Sequence, residues 1–398
     1  MNEIISTNNP HPLKLSILTY LVMFATGVAV ILPFVVRGSA AAQFHSTAAY
    51  TGYVFAFFMT GMLIGQCING HVIKLMPLKI EIYLVGIIYI ICVGLFYLVP
   101  SIGYLIPIFI IMGITFGVFV TIPFYLIVHM FEEKKRASRL NLMDFCFAIG
   151  SVAFPIIAGY MIQSDFNWKT IYILLFIVWA VIFVLLINIK LPNVDIADEK
   201  TMDHHFSKWT FNTFLVGVAI FLAFVSFMGF NYNVISFLIN SHHIAPEYAA
   251  YSLSLFWFLY GIGCFVATCL LRYIKVNKYI LISTAIAFIS LIFIYFSSNV
   301  AILYVTISIF GLGCSTIYGS ATSYGTELLK KPSPRLVSFY IASSGVGTMV
   351  AEFLSSYIGS TYGDITLIKL SLIFMIVVFI IILYVSFTSK LFRDKTSI

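Results

Sequence analysis

Long apolar runs alternate with short polar loops along almost the whole chain. A helix needs about 20 consecutive apolar residues to cross a bilayer, and most of these runs reach that length. The pattern predicts twelve membrane-spanning helices, near 15–38, 48–69, 80–99, 103–131, 140–163, 170–189, 210–239, 248–271, 279–297, 301–327, 336–358 and 365–388. We therefore expect an all-α polytopic membrane protein with twelve transmembrane helices in two groups of six.

One connection is longer and more polar than all the others. It begins at Lys190 and reads KLPNVDIADEKTMDHHFSK. Basic residues recur at equal spacing on either side of it, since Lys79 and Lys278 are 199 residues apart, as are Arg136 and Arg335. The predicted organisation is an N-terminal six-helix half, a cytoplasmic linker and a C-terminal six-helix half: 1–190, 191–208 and 209–398.

Basic residues fall almost entirely on one side of the predicted membrane. With the N-terminus inside, all but three of the 22 Lys and Arg residues lie in cytoplasmic loops or tails, the exceptions being Arg37, Lys169 and Lys369. Cytoplasmic loops of membrane proteins collect Lys and Arg. We therefore predict a multi-pass protein of the inner (plasma) membrane, with both termini cytoplasmic and the first helix retained.

Composition removes several other classes of protein. The chain is 61% hydrophobic and 9% charged, whereas a soluble domain is usually about a quarter charged. Its net charge of +7 is spread over many loops, so we expect no nucleic-acid partner. The six cysteines show no CxxC or Cys/His spacing, and we predict no metal and no cofactor. No GxxxxGK[ST] motif is present for ATP.

Short motifs occur in a fixed order along the predicted helices. They are Gly61-Met-Leu-Ile64 with Asn69, Ser138-Arg139-Leu140 with Asp144, Phe256-Trp257-x-x-Tyr260, Ile317-Tyr318 and, most specifically, Lys331-Pro332-Ser333-Pro334-Arg335-Leu336. In this series the chain resembles the TsgA-like branch of the major facilitator superfamily over most of its length. The resemblance implies two six-helix halves with a solute site near the midplane between them.

A looser similarity, through Arg139-Leu140-Asn141-Leu142, links the chain to the fucose/proton symporter group. The first and fourth predicted helices lack the acids of that group, so its sugar specificity and proton site are not carried over. The loop after the second helix has Asn69 where the superfamily pattern places an acid. The candidates for a cytoplasmic gate are Asn69, Lys79, Arg136, Arg139 and Arg335.

Four charged residues inside predicted helices are weighed as candidates, because a charge there is costly unless it is paired or hydrated: Arg37, Asp144, Glu327 and Glu352. We interpret Glu327, which is close to Lys330 and Lys331, mainly as an interfacial ion-pair partner. Asp144 is a candidate proton site or solute contact, and the alternative is pairing with Arg136 or Arg139. Glu352 is a candidate proton carrier, and the alternative is a hydrated carboxylate near the periplasmic end of its helix. Arg37 could bind an anionic solute through its guanidinium, or extend to lipid headgroups instead.

Uncharged polar residues complete the set of candidates for binding the solute or for coupling. They are Asn231 and Asn233 in the seventh predicted helix, Tyr260 in the eighth and Tyr318 in the tenth. We interpret the stretch from Asn231 to Asn233 as a break in its helix that exposes backbone to a wet cavity. Two glycine pairs at four-residue spacing, Gly61 with Gly65 and Gly113 with Gly117, are assigned to helix packing.

The leading hypothesis is a secondary active transporter without catalytic residues. It would move a small polar solute, such as a sugar or an organic anion, across the inner membrane by alternating access, in symport with protons. An efflux pump for toxic or amphipathic compounds is the alternative. An intramembrane enzyme is a distant third, since HExxH and GxSxG are absent. The expected partners are the solute, protons and membrane lipids, and the expected functional unit is a monomer.

Overall fold

A computed structural model of the chain describes residues 12–130, 133–187, 189, 191, 208–271, 273–329 and 334–395. Some side chains within these ranges lie outside the described residues, among them those of Arg136, Arg139 and Arg335. The chain divides into two compact units, Met1–Ile196 and Ala197–Ile398. Apart from Leu191 and Lys208, the predicted linker lies outside the described residues.

The described part of the N-terminal unit consists of seven α-helices and one 3₁₀ turn. They are α1 (Pro12–Gln43), α2 (Ala48–Leu75), α3 (Leu78–Leu95), the turn Ile102–Tyr104, α4 (Leu105–Met130), α5 (Glu133–Gln163), α6 (Trp168–Ile173) and α7 (Leu175–Ile187). Side chains in the connecting loops begin these helices. Thr47 accepts a hydrogen bond from the backbone N–H of Tyr50 at 3.1 Å and so caps α2, and Asn167 caps α6 in the same way.

The described part of the C-terminal unit also contains seven α-helices. They are α8 (Phe211–His242), α9 (Pro246–Leu270), α10 (Val276–Phe296), α11 (Val300–Cys314), α12 (Ile317–Glu327), α13 (Pro334–Tyr362) and α14 (Asp364–Lys395). Thr210 and Thr213 form a capping box at the start of α8. Asn299 accepts hydrogen bonds from two backbone N–H groups at the start of α11.

Eleven helical segments among the described residues are long and apolar enough to cross a membrane. The remaining predicted span, 336–358, lies within α13, which is 29 residues long and rich in Ser, Gly and Thr. Small polar residues suit a membrane helix that packs closely against others, and α13 packs along α8. The twelve-helix architecture predicted from the apolar runs is thereby confirmed.

Both units use the same packing order. The first helix of each unit packs against the fifth span, so that α1 contacts α5 and α8 contacts α13. The second helix packs against the fourth span, so that α2 contacts α4 and α9 contacts α11. The last helix differs, because α14 packs extensively against α8 and α10, whereas α7 makes much smaller contacts with α1 and α3.

Glycines bring α2 and α4 into backbone contact. A Cβ added to Gly65 would lie 2.9 Å from Cα of Gly117 and would collide with the carbonyl oxygen of Ile114. Gly61 and Gly113 are related in the same way one turn away. The assignment of these two glycine pairs to helix packing agrees with this close approach.

The structure places the break in a different helix from the one expected. The predicted break at Asn231 to Asn233 is wrong, because α8 is continuous from Phe211 to His242. The amides of both Asn residues bond to carbonyls four residues earlier, which lets them lie inside an intact helix. In the C-terminal unit the interruption occurs instead in the tenth span at Ser315 and Thr316, shortly after two glycines, which are poor helix formers.

Candidate functional site

Asn231 lies on α8 in the middle of the C-terminal unit and is 1% exposed. Its amide nitrogen donates to the carbonyl oxygen of Phe227 at 2.7 Å. Its amide oxygen is buried and has no hydrogen-bond partner among the described residues. Leaving such an acceptor unsatisfied costs about 1–3 kcal/mol. This oxygen is therefore a buried acceptor whose hydrogen-bonding capacity the described residues do not use.

Asn233 does not share the position of Asn231. It is fully buried, and its amide nitrogen donates to the carbonyl oxygen of Gly229 at 2.9 Å. Its amide oxygen lies 3.5 Å from the point where a Cβ on Gly359 of α13 would be. Residues two apart on a helix point in nearly opposite directions. Asn233 thus faces the contact between α8 and α13, and Asn231 faces another side of α8.

Glu352 lies in the contact between α8 and α13 and is 4% exposed. It is close enough to Tyr232 of α8 for an electrostatic interaction. One turn further along α13, the Ser355 hydroxyl donates to the carbonyl oxygen of Gly229 at 3.4 Å. The carboxyl group that the sequence singled out is therefore part of a buried polar contact between two helices.

A small cavity lies between α8, α13 and α14. Its lining includes Gly229, Ser355 and Ser371, with apolar side chains around them. It has room for about one water molecule, and most of its lining is apolar. The Ser226 hydroxyl donates to the Ser371 carbonyl oxygen at 2.7 Å and so ties α8 to α14 beside this cavity.

Tyr318 follows the break in the tenth span and lies beside α8. Its ring packs edge-on against Phe224, with 5.8 Å between the ring centroids. Phe224 and Asn231 are seven residues apart and lie on the same face of α8. Tyr318 and Asn231 therefore belong to one side of that helix. In the first turn of α12, the buried Ser320 hydroxyl has no hydrogen-bond partner among the described residues.

Tyr260 lies on α9 within an aromatic cluster. Its ring centroid is 5.0 Å from that of Trp257 and 6.4 Å from that of Phe256. Phe256 in turn contacts Phe230 of α8, next to Asn231. The α9 aromatics thus pack against the segment of α8 that carries Asn231.

The two charged candidates of the N-terminal unit lie on different helices. Asp144 is half-buried on α5, beside the core residue Met143. Arg37 is half-buried on α1. The predicted end of the first span at residue 38 is too early, because α1 continues to Gln43. Both residues remain predicted solute or proton contacts.

The gate candidates that the structure describes have local partners. The amide nitrogen of Asn69 donates to the Thr121 hydroxyl and so links α2 to α4. The ammonium group of Lys79 donates to the carbonyl oxygen of Ile187 at 3.3 Å. The side chains of Arg136, Arg139 and Arg335 lie outside the described residues. A gate formed by these five residues remains a prediction.

Two buried charged residues of the N-terminal unit were not among the predicted site residues. Lys169 is 5% exposed, and its ammonium group lies 5.4–5.9 Å from the ring centroids of Phe44, Tyr97 and Trp168. Glu81 is 2% exposed in the first turn of α3. Each is close to the end of a predicted span, where a charge is ordinarily expected to reach water. Only contacts with other helices show that both are buried.

The described residues contain no group of three or more His, Cys, Asp or Glu side chains placed to hold a metal ion. The chemistry available in this part of the chain is that of amides, hydroxyls, aromatic rings and a few carboxyls. These groups are suited to binding a polar solute and to carrying protons.

Comparison with known proteins gives consistent results. The family model of the Major Facilitator Superfamily matches residues 15–331 and 216–397. Protein TsgA homologs of Yersinia pestis (strain Pestoides F) and Yersinia pseudotuberculosis serotype O:1b (strain IP 31758) are 26% identical over 365 residues, which is 89% of this chain and 91% of theirs.

Two solved structures have a similar fold. One is a bacterial homolog of the human lysosomal transporter Spinster in an inward-facing, occupied conformation, with a TM-score of 0.67, 14% identity and coverage of 93% of this chain and 96% of that one. The other is a mutant of the nucleoside transporter NupG, with a TM-score of 0.68, 13% identity and coverage of 94% and 99%. At this level of identity the likeness concerns the fold alone.

Proposed function

Because the chain belongs to the Major Facilitator Superfamily, we propose that it is a secondary transporter of a small polar solute in the inner membrane. It works by alternating access and couples solute movement to protons. Transport of a small solute follows from the family, and the polar nature of the solute is inferred from the buried groups of the C-terminal unit. Sugars and organic anions are the solute classes to test first.

One observation is the main support for a polar solute. The amide oxygen of Asn231 is buried in the C-terminal unit without a hydrogen-bond partner among the described residues. A solute hydroxyl or ammonium group that donates to this oxygen would recover the free energy lost on burying it. Tyr318, on the same side of α8, offers an aromatic surface and a second polar group to such a solute.

The test is exchange of labelled solutes in proteoliposomes that contain the purified chain. A panel of sugars and carboxylates is screened by counterflow, which requires no ion gradient. We expect Asn231→Leu to lose at least tenfold in exchange rate for the solute that wild type carries. Asn240→Leu is the matched control on α8, because Asn240 is exposed and bonds to Asp364. Equal exchange by wild type and Asn231→Leu would contradict the assignment.

Proton coupling is proposed for Glu352, with Asp144 as the second carboxyl. Glu352 is buried on α13 next to Tyr232, and a buried carboxyl inside a membrane is a functional candidate by default. A neutral glutamine still packs there but cannot carry a proton. If Glu352 couples transport to protons, its replacement by glutamine should preserve solute exchange and reduce solute accumulation.

We expect Glu352→Gln to keep counterflow and to lose accumulation driven by a pH gradient. Glu327→Gln is the control, since Glu327 is exposed at the end of α12. Unchanged accumulation in a Glu352→Gln, Asp144→Asn double variant would rule out coupling through these carboxyls. Solute expelled in exchange for protons would make the chain an efflux pump instead.

A further inference from the structure

Glu81 is a buried carboxyl that the proposed transport mechanism does not use. It lies in the first turn of α3, and its side chain is 2% exposed. Both of its carboxyl oxygens are buried, and neither has a hydrogen-bond partner among the described residues. Its backbone N–H donates to the carbonyl oxygen of Pro77. Because neither carboxyl oxygen accepts a hydrogen bond from a described residue, the Glu81 side chain does not cap α3.

The helices that pack against α3 are α4, α6 and α7. None of the residues of α7 is ionisable. On α6 the ionisable residues are Lys169, which lies among aromatic rings, and Tyr172. On α4 they are Tyr125 and His129, whose side chains lie outside the described residues.

The other ionisable residues of α3 have their own surroundings. Lys79 donates to the Ile187 carbonyl oxygen, Tyr83 to that of Phe183 at 3.5 Å and Tyr89 to that of Tyr172 at 2.8 Å. Cys92 is buried near the opposite end of the helix. Among the residues that the structure describes, therefore, no cationic side chain contacts the Glu81 carboxyl.

Burial without a partner among the described residues favours one charge state of this carboxyl. An ionised carboxylate removed from water costs several kcal/mol even in a relaxed protein, and attraction to a cation or hydrogen bonds must offset that cost. Neither is present among the described residues, whereas a neutral carboxylic acid is far cheaper to bury. The favourable state of Glu81 in this conformation is therefore the protonated one.

We infer that Glu81 is a proton-binding site, occupied in the conformation described here and emptied when water reaches the start of α3. The inference rests on the proposed function and adds a carboxyl in the N-terminal unit to the two already named. Access to Glu81 is controlled by the contacts of α3. Lys79 lies two residues before Glu81 in α3. Its hydrogen bond to the Ile187 carbonyl oxygen joins the start of α3 to the end of α7. Opening of that contact would admit water to the carboxyl.

The first experiment measures titration of Glu81 without any solute. The full chain is purified in detergent, and its melting temperature is recorded between about pH 5 and pH 8 for wild type, Glu81→Gln and Glu327→Gln. A group that is neutral in the folded state and ionised in the unfolded state contributes stability that is lost as pH rises. We expect wild type to lose several degrees relative to Glu81→Gln across this range, and Glu327→Gln to follow wild type.

Infrared difference spectra between the two pH values provide the second readout. The carbonyl band of a protonated carboxylic acid in wild type should lose intensity in Glu81→Gln and stay unchanged in Glu327→Gln. Should glutamine destabilise the chain, Glu81→Leu serves the same purpose, because an apolar side chain needs no partner in this environment. Identical pH dependence and identical bands in wild type and the Glu81 variants would overturn the inference.

The counterflow assay separates this inference from the proposed function. For the solute identified in the panel, we expect Glu81→Gln to flatten the pH profile of exchange, and Glu327→Gln to keep the wild-type profile. Exchange with a wild-type pH profile in Glu81→Gln overturns the role of Glu81 and leaves transport intact. Titration of Glu81 in a chain that exchanges no member of the panel contradicts the proposed function alone.

Discussion

The two units share a packing order but differ in how many polar side chains they bury. The described residues of the N-terminal unit contain eight buried polar or charged side chains, and those of the C-terminal unit contain 18. Glycines allow close backbone contact in both units, at Gly65 and Gly117 between α2 and α4 and at Gly311 of α11 against the Phe256 carbonyl group of α9. In the second unit, hydroxyl and amide side chains also join α8 to α13 and α14.

Glycine contacts and hydrogen bonds between helices differ in how easily their partners can be replaced. A glycine contact depends on close approach of two backbones and has no substitute partner, so it favours a rigid pair of helices. A hydrogen bond between membrane helices contributes only about 0.6 kcal/mol on average, and its groups can exchange partners at little cost. The larger number of buried polar groups in the C-terminal unit is the reason that we propose solute contacts there.

The largest expected effect lies in the glycine contact of the N-terminal unit. Gly65→Leu would place a side chain against the backbone of α4, since even a Cβ collides with the Ile114 carbonyl oxygen. We expect destabilisation of at least about 1–3 kcal/mol, measured as a lower melting temperature in detergent. Gly94→Leu is the control, because Gly94 lies on α3 with nothing within 4 Å of an added Cβ. Equal melting temperatures for the two variants would refute the close-contact argument.

A smaller effect is expected from the cation in the same unit. Lys169→Met keeps the stem of the side chain and removes the charge that lies over three aromatic rings. The loss should be about 0.5–2 kcal/mol in thermal stability, and Lys169→Arg should recover most of it. Lys369→Met provides the comparison, since Lys369 is exposed on α14. A melting temperature of Lys169→Met equal to that of wild type would show that the rings contribute nothing.

The smallest effect is expected in the C-terminal unit. Ser226→Ala removes the hydrogen bond from α8 to the Ser371 carbonyl oxygen of α14, and we expect a cost of about 0.6 kcal/mol. The exposed Ser360, which bonds within its own helix, provides the control as Ser360→Ala. A Ser226→Ala effect as large as that of Gly65→Leu would contradict the distinction between glycine contacts and hydrogen bonds.

The lengths of the apolar runs and the distribution of charge in the loops were sufficient to predict the twelve helices. Each span is a local property of the chain, because a run of apolar residues in lipid must satisfy its own backbone groups as a helix. The helix break was the main error. Asn231 and Asn233 resemble a breaking sequence, but their amides bond to carbonyls of the same helix. The glycines before Ser315 were the better signal of a break.

The candidate site was predicted only in part. Asn231, Glu352 and Tyr318 were identified because polar groups in apolar runs are rare, yet their neighbours depend on which faces of the helices meet. Asn231 and Asn233 are close in sequence and were predicted to act together, whereas in the structure Asn233 faces α13. Glu81 was missed, since a carboxyl at the start of a span ordinarily faces water or headgroups.

Apolar run length, the scarcity of charge and the positions of Lys and Arg are one-dimensional properties, and they determine the number of spans and the predicted orientation. Burial of an individual polar group is a three-dimensional property, because it depends on atoms brought by other helices. Glu81, Lys169 and Asn231 all occur in apolar stretches of similar appearance. Packing alone decides their surroundings, which among the described residues are, respectively, a buried carboxyl without a hydrogen-bond partner, a cation among aromatic rings and a buried amide oxygen without a hydrogen-bond partner.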